Sequence, residues 1–149
     1  MRYHAKTNGW HVDVSSLLLQ QFLREPIEEL KVVIEKSEAC SGGFLSGFFD
    51  SEGSVSEGSV TAVNTDQALI GLVLDQLNRL GIHATGPRLR YKGGKAVTIK
   101  GIVYKANKDC FGIRVRNESR RVFLDKVGFR IRRKNEALIR SLDLLEKTQ

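Results

Sequence analysis

The chain has 149 residues, 41% of them hydrophobic, with a mean hydropathy of −0.23 and a formal charge of +7. That length supports one ordinary domain with a buried core, and no apolar run approaches the roughly 20 residues that span a bilayer, so no membrane partner is expected. The N-terminal stretch MRYHAKTNGWHVD lacks the apolar segment of a signal peptide, which points to an intracellular protein, cytoplasmic in a prokaryote or organellar, and not a secreted one.

In chain order, SSLLLQQFLR at 15–24 predicts a helix with Leu18, Leu19 and Phe22 on one face. Pro26 ends that run and opens a second helix, in which Ile27, Leu30 and Ile34 recur at helical spacing. Residues 1–40 thus read as a helical arm ahead of a main domain at 41–149. Ser41-Gly42-Gly43 reads as a break before a helix at 43–51. After Gly53 the period becomes strand-like, with strands 54–56 and 59–64 joined by a tight turn at Glu57-Gly58. Thr65 is positioned to cap a helix at 66–80, with Leu69, Val73, Leu77 and Leu80 as its apolar stripe and Gly81 as a left-handed terminus.

Residues 87–116 read as three strands, joined at Gly93-Gly94 and at Asn107-Lys108, with Gly101 as a bulge in the middle one. Two C-terminal helices follow, Ser119–Val127, stopped by Gly128, and 134–146, with Leu138, Leu142 and Leu145 in phase. The fold class is α+β, an antiparallel sheet with helices packed on one face. Cys40 and Cys110, with no C-x-x-C spacing, read as reduced, partly buried thiols. His4, His11 and His83 lack zinc spacing.

The charge is unevenly placed. Residues 85–121 carry eleven Lys/Arg against Asp109 and Glu118, a surplus of nine that leaves −2 for the rest of the chain. Strand alternation sorts these residues. Leu89 and Tyr91 oppose Arg88, Arg90 and Lys92, and Phe111, Ile113 and Val115 oppose Cys110, Gly112, Arg114 and Arg116. Val97 and Ile99 oppose Thr98 and Lys100, with Lys105 outward beyond the bulge. The expected result is one apolar and one basic face. Such a surface, with Lys95 in its turn, suits double-stranded DNA, where Arg and Lys contact guanine edges and phosphates.

The segment FLSGFFDSEGSVSEGSV at 44–60 repeats SEGSV, so Glu52 and Glu57 share a local sequence. The helix before them separates the two. Phe44, Leu45, Phe48 and Phe49 form its bulky side, and Gly43, Ser46, Gly47 and Asp50 its small side. Helical glycine is unfavourable by roughly 1 kcal/mol relative to alanine, which close approach of another backbone would offset. The small side is therefore expected to meet a second copy across a twofold axis. Asp50 and Glu52 would then lie beside that axis at the head of the basic sheet, where carboxylates near phosphate call for Mg²⁺ or another divalent cation. Glu57 has only a hairpin turn around it.

FLSGFFDSEGSV resembles the signature of the LAGLIDADG homing endonucleases. Leu45, Gly47, Asp50 and Gly53 match its letters, Ser46 and Ser51 stand for small residues, Phe48 and Phe49 for the apolar pair, and Glu52 for the final aspartate. The resemblance continues through VNTDQALIGLVLDQLNRLGI and FLDKVGFRIRRKNEALI, covering about 43–145. It implies a saddle-shaped antiparallel sheet on DNA, motif helices as the core of a homodimer, and a near-palindromic target. It further implies Glu52 as metal ligand with help from the Ser51 carbonyl, a basic assistant matched best by Arg116, and a polar site residue at Asn64 or Asp66. The hairpin 54–64 is shorter than in many members, and the arm has no counterpart in the minimal pattern.

The leading expectation is a Mg²⁺-dependent, intron-encoded endonuclease that makes a staggered double-strand break. The alternative is an RNA maturase or DNA-binding regulator on the same scaffold. The carboxylate at 52 favours cleavage, and no protein-splicing segments flank the domain to suggest part of an intein.

Overall fold

The computed structural model describes residues 2–4, 9–11, 25–99, 101–105 and 107–146. The helix expected at 15–24 lies outside the described residues, as does Lys100. The chain starts with a short antiparallel pair, β1 (Arg2–His4) and β2 (Gly9–His11), in which Tyr3 is in register with Trp10, where the sequence suggested only helix. Aromatic residues favour strands.

Pro26 opens α1 (Ile27–Ile34) as expected. The next helix, α2 (Glu38–Glu52), starts five residues before its expected position and passes without a break through Ser41-Gly42-Gly43. Three local features carry it. The Ser37 hydroxyl accepts the Cys40 amide as an N-cap. Ser41 Oγ lies 3.1 Å from the Ile34 carbonyl and 2.9 Å from Gln76 Oε1, and Gln76 in turn donates to Glu35, which ties α1 to the domain. At Gly42 a Cβ would sit 2.5 Å from the Lys126 carbonyl. The close backbone approach that a helical glycine signals therefore occurs at Gly42, within the chain itself.

From Gly53 the chain folds back as β3 (Gly53–Ser56) and β4 (Ser59–Asn64), through a turn in which Glu57 and Gly58 have φ of 49° and 73°, the two left-handed residues of a type I′ hairpin. The helix α3 (Gln67–Arg79) is capped by the Asp66 side chain and not by Thr65. The Asp66 carboxylate accepts the Leu69 amide while Asn64 Oδ1 accepts the Asp66 amide. Gly81, at φ 74°, ends α3 with Ile82 N donating to Leu77 O, a Schellman-type close.

The strands β5 (Ala84–Tyr91) and β8 (Cys110–Val115) complete a four-stranded antiparallel sheet of order β3-β4-β8-β5. The middle strand expected at 97–105 does not join it. That segment forms a separate hairpin of β6 (Ala96–Ile99) and β7 (Ile102–Lys105), and Gly101, at φ 79°, belongs to its turn and not to a bulge. Pairing β5 directly with β8 leaves no room between them.

A 3₁₀ turn (Asn117–Ser119), α4 (Arg120–Lys126) and α5 (Arg132–Glu146) finish the fold. All of the main helices cover one face of the sheet. Phe49 sits at the centre, edge-on to Phe123 at 4.9 Å, Phe48 at 5.6 Å and Phe129 at 6.4 Å, each such pair adding about 0.5–1.5 kcal/mol beyond its area. Leu45, Val60, Ile70, Val73, Leu77, Ile113, Val115 and Leu138 pack around this cluster. Among the described residues, no helix is long and apolar enough to cross a membrane.

Candidate nucleic-acid interface

The core-facing residues fix which way the others point. With Ala62 and Ile113 in register and buried, their neighbours Thr61, Val63, Gly112 and Arg114 face away from the helices. One row runs across the open face as Ser54, Thr61, Arg114 and Thr85. The Ser54 and Thr61 hydroxyls bond at 3.0 Å. In the next row stand Val63, Gly112 and Arg88, before which the β5 register slips. Arg90 lies over Gly112, where a Cβ would meet its Cγ at 2.7 Å. Arg88, Arg90 and Arg114 thereby border a depression of about 180 Å³. Among the described residues, no hydrogen bond or salt bridge engages any of these three guanidinium groups.

The basic face is narrower than the alternation implied. Leu89 and Tyr91, expected inward, are 53% and 45% exposed, because β5 is an edge strand with only β8 beside it among the described residues. Lys92 and Lys95 lie in the turn after β5, and Lys105 is exposed on the separate hairpin, which also shows Ile102 and Val103 to solvent.

Glu52 is the last residue of α2 and is exposed. Gly53 follows it directly into the sheet opposite Ala62, so the acid stands at the end that holds Val63 and Cys110. Burial first, and the Glu52 charge second, push the Cys110 thiol up, while Arg90 acts in the opposite direction. Glu52, Cys110 and Arg90 are therefore electrostatic neighbours. Among the described residues, nothing pairs with the Glu52 carboxylate. Ser51 is exposed beside it, its hydroxyl turned back onto the Phe48 carbonyl.

Two expectations about this neighbourhood change. Arg116, matched as the basic assistant of Glu52, follows the far end of β8, about 20 Å along the strand from Cys110 at 3.4 Å per residue. Its side chain lies 3.7 Å from Glu118. The motif helix also does not present its four small residues together. Gly43 and Gly47 are exposed, with nothing among the described residues within 4 Å of a Cβ, but Ser46 is buried in its own domain. The Asp50 carboxylate accepts the Arg130 and Ile131 amides at 3.1 and 3.2 Å, holding the start of α5. Cys40 is exposed rather than partly buried. Glu57 is exposed in its turn, at the end of the β3–β4 hairpin away from Glu52, and the Gly58 carbonyl beside it accepts Arg120 Nη1.

Lys134 escaped the sequence reading. Its Nζ donates to the carbonyls of Phe49, Asp50 and Gly53 at 3.2, 2.6 and 2.6 Å, closing the C-terminus of α2, where a cation complements the helix dipole. Burial lowers its pKa, the Asp50 charge opposes this, Arg133 adds to it, and Glu52 opposes it again. A signal existed. Arg132, Arg133 and Lys134 open α5 with no acid among its first residues, the wrong charge for their own helix, which hints that they serve another.

Among the described residues, no group of three or more His, Cys, Asp or Glu side chains is placed to hold a metal ion by itself. Glu52 and the Ser51 carbonyl offer hard oxygen donors, the type Mg²⁺ takes together with water and phosphate.

A family model for the LAGLIDADG-like domain matches residues 39–128. An uncharacterised protein of Methanocaldococcus jannaschii is 37% identical over 143 residues, 95% of this chain and 51% of that protein. The chain thus spans about half the length of that curated relative. No solved structure matches it.

Proposed function

The chain belongs to the LAGLIDADG-like family, and from that premise we propose that it is a site-specific homing-type endonuclease acting on double-stranded DNA. The observation that carries this reading is the Glu52 carboxylate, without a hydrogen bond or salt bridge among the described residues, held at the end of a buried helix beside the open, arginine-bearing face of the sheet.

The basic face attracts the polyanion and sets its register. Asp50 and Lys134 keep the end of α2 in place, so that Glu52 is presented in a fixed direction. Glu52, with the Ser51 carbonyl, would hold a divalent cation, Mg²⁺ by its donor type. When bound, that cation supplies positive charge against the scissile phosphate. A lone carboxylate is an incomplete ligand set. A second copy, meeting the first along the open Gly43 and Gly47 stripe, would bring another Glu52 and a second sheet, which suits a near-palindromic site and a break in each strand. Asp66 and Asn64 stand at the same end of the sheet as polar neighbours.

Incubation with a randomised plasmid library and Mg²⁺, followed by sequencing of the new ends, tests this reading. Cleavage should fall at one sequence with a fixed stagger and vanish without divalent metal. Tight duplex binding with no cleavage under any divalent cation would leave a DNA-binding regulator, and preference for folded RNA would leave a maturase.

A further inference from the structure

Resting on the DNA-binding part of that reading, we infer that Arg88, Arg90 and Arg114, gathered over Gly112, form a cup that reads guanine in each half-site. Three observations carry it. The guanidinium groups have no hydrogen bond or ion pair among the described residues, so their donors remain for a ligand. They border one depression in the middle of the open face, where a sheet entering the major groove meets base edges, with phosphates at its margins. The remaining lining is neutral and includes Thr61 and Val63, which suits contact with bases and the thymine methyl better than an all-cationic phosphate clamp.

Guanine follows from the chemistry of the fork. Its O6 and N7 are paired acceptors on the major-groove edge, and the planar guanidinium meets both at once. Adenine puts a donor at one of these positions, against which an arginine has nothing to accept.

Gly112 sets the geometry. Arg90 lies on it because no side chain stands there, and a Cβ would come within 2.7 Å of Arg90 Cγ and 3.0 Å of Cδ. Those are atoms of a flexible, exposed side chain, so Gly112→Ala moves the reader without breaking the fold. Gly112 is a positioning residue and Arg90 the contact.

The test is selection from a random duplex library in EDTA at fixed salt, with the wild type, Arg90→Ala, Gly112→Ala and Lys108→Ala. The wild type should enrich guanine at a symmetric pair of positions. Arg90→Ala should reduce that preference about 5- to 150-fold at those positions only. Gly112→Ala should change the preference at the same positions while keeping the wild-type circular dichroism and non-specific affinity. Lys108→Ala, in a turn outside the cup, should weaken all sequences alike. If Arg90→Ala instead weakens every sequence equally and lowers the salt slope by about one, the cup holds a phosphate and the inference is overturned. Binding without any guanine preference overturns it as well. Guanine preference without cleavage in Mg²⁺ would sink the endonuclease and leave the cup standing. A chain that binds no duplex DNA would end both.

Discussion

Lys134 Nζ donates to the Asp50 carbonyl at 2.6 Å while the Asp50 carboxylate accepts the Arg130 amide at 3.1 Å. Each residue caps the other's helix. The end of α2 and the start of α5 are thereby fixed to one another, and Glu52 stands two residues beyond the joint.

Lys134→Met should destabilise the protein by about 1–3 kcal/mol, the range for hydrogen bonds from a charged donor, as measured by urea unfolding. Burial lowers the Lys134 pKa from 10.5. The unfolded chain therefore binds more protons at this site in the window between the lowered value and 10.5, so the increment tied to its deprotonation is complete above 10.5 and is lost as pH falls through the folded value, leaving the hydrogen bonds of the charged donor below it. The difference between wild type and Lys134→Met should widen as pH rises through that window. A difference that narrows instead would mean that the three carbonyls outweigh burial.

Glu52→Gln should abolish cleavage and leave DNA affinity within about tenfold, because a charge is removed without loss of a structural partner. Glu57→Gln, in an exposed hairpin turn, should leave both unchanged. Plasmid cleavage and gel-shift titration of the two variants decide the roles of the repeated acids, and an active Glu52→Gln beside an inactive Glu57→Gln would reverse them.

Cys110 offers a chemical probe of the site. Only thiolate reacts with iodoacetamide, and burial together with Glu52 keeps this thiol protonated to higher pH. Near pH 8, Cys110 should alkylate more slowly than exposed Cys40. Glu52→Gln should speed Cys110 in part, since burial is the larger cause, and should not affect Cys40. Peptide mass spectrometry over time reads both sites in one tube, and an unchanged Cys110 rate would show that the carboxylate is not its neighbour.

The glycines of α2 should separate into two kinds. Gly42→Ala places a Cβ against the Lys126 carbonyl, a backbone clash that should reduce stability by about 1–3 kcal/mol. Gly47→Leu meets open space among the described residues, so the fold should survive while the proposed dimer dissociates in sedimentation velocity. A wild-type monomer at micromolar concentration would dispose of the twofold model directly.

Local chemistry was enough to read much of this molecule. The motif helix, the Glu57-Gly58 turn, the stripe of α3 and the stops at Gly81 and Gly128 depend on periodicity and on backbone conformations that glycine takes easily, and both are written in short windows. The separation of Glu52 from Glu57 followed from the same kind of evidence, since one has a helix before it and the other a two-residue turn. Contacts between distant segments are not written that way. Gly42 looks like a helix break until Lys126, more than eighty residues later, fills the space beside it. Lys134 looks like one more surface charge until three carbonyls of another helix surround it. The basic residues at 87–116 suggested three adjoining strands, but which strands pair depends on the whole sheet, and β8 took the place beside β5. Arg116 was therefore carried to the far end from Glu52, and Arg90, laid over Gly112, came to stand close to it.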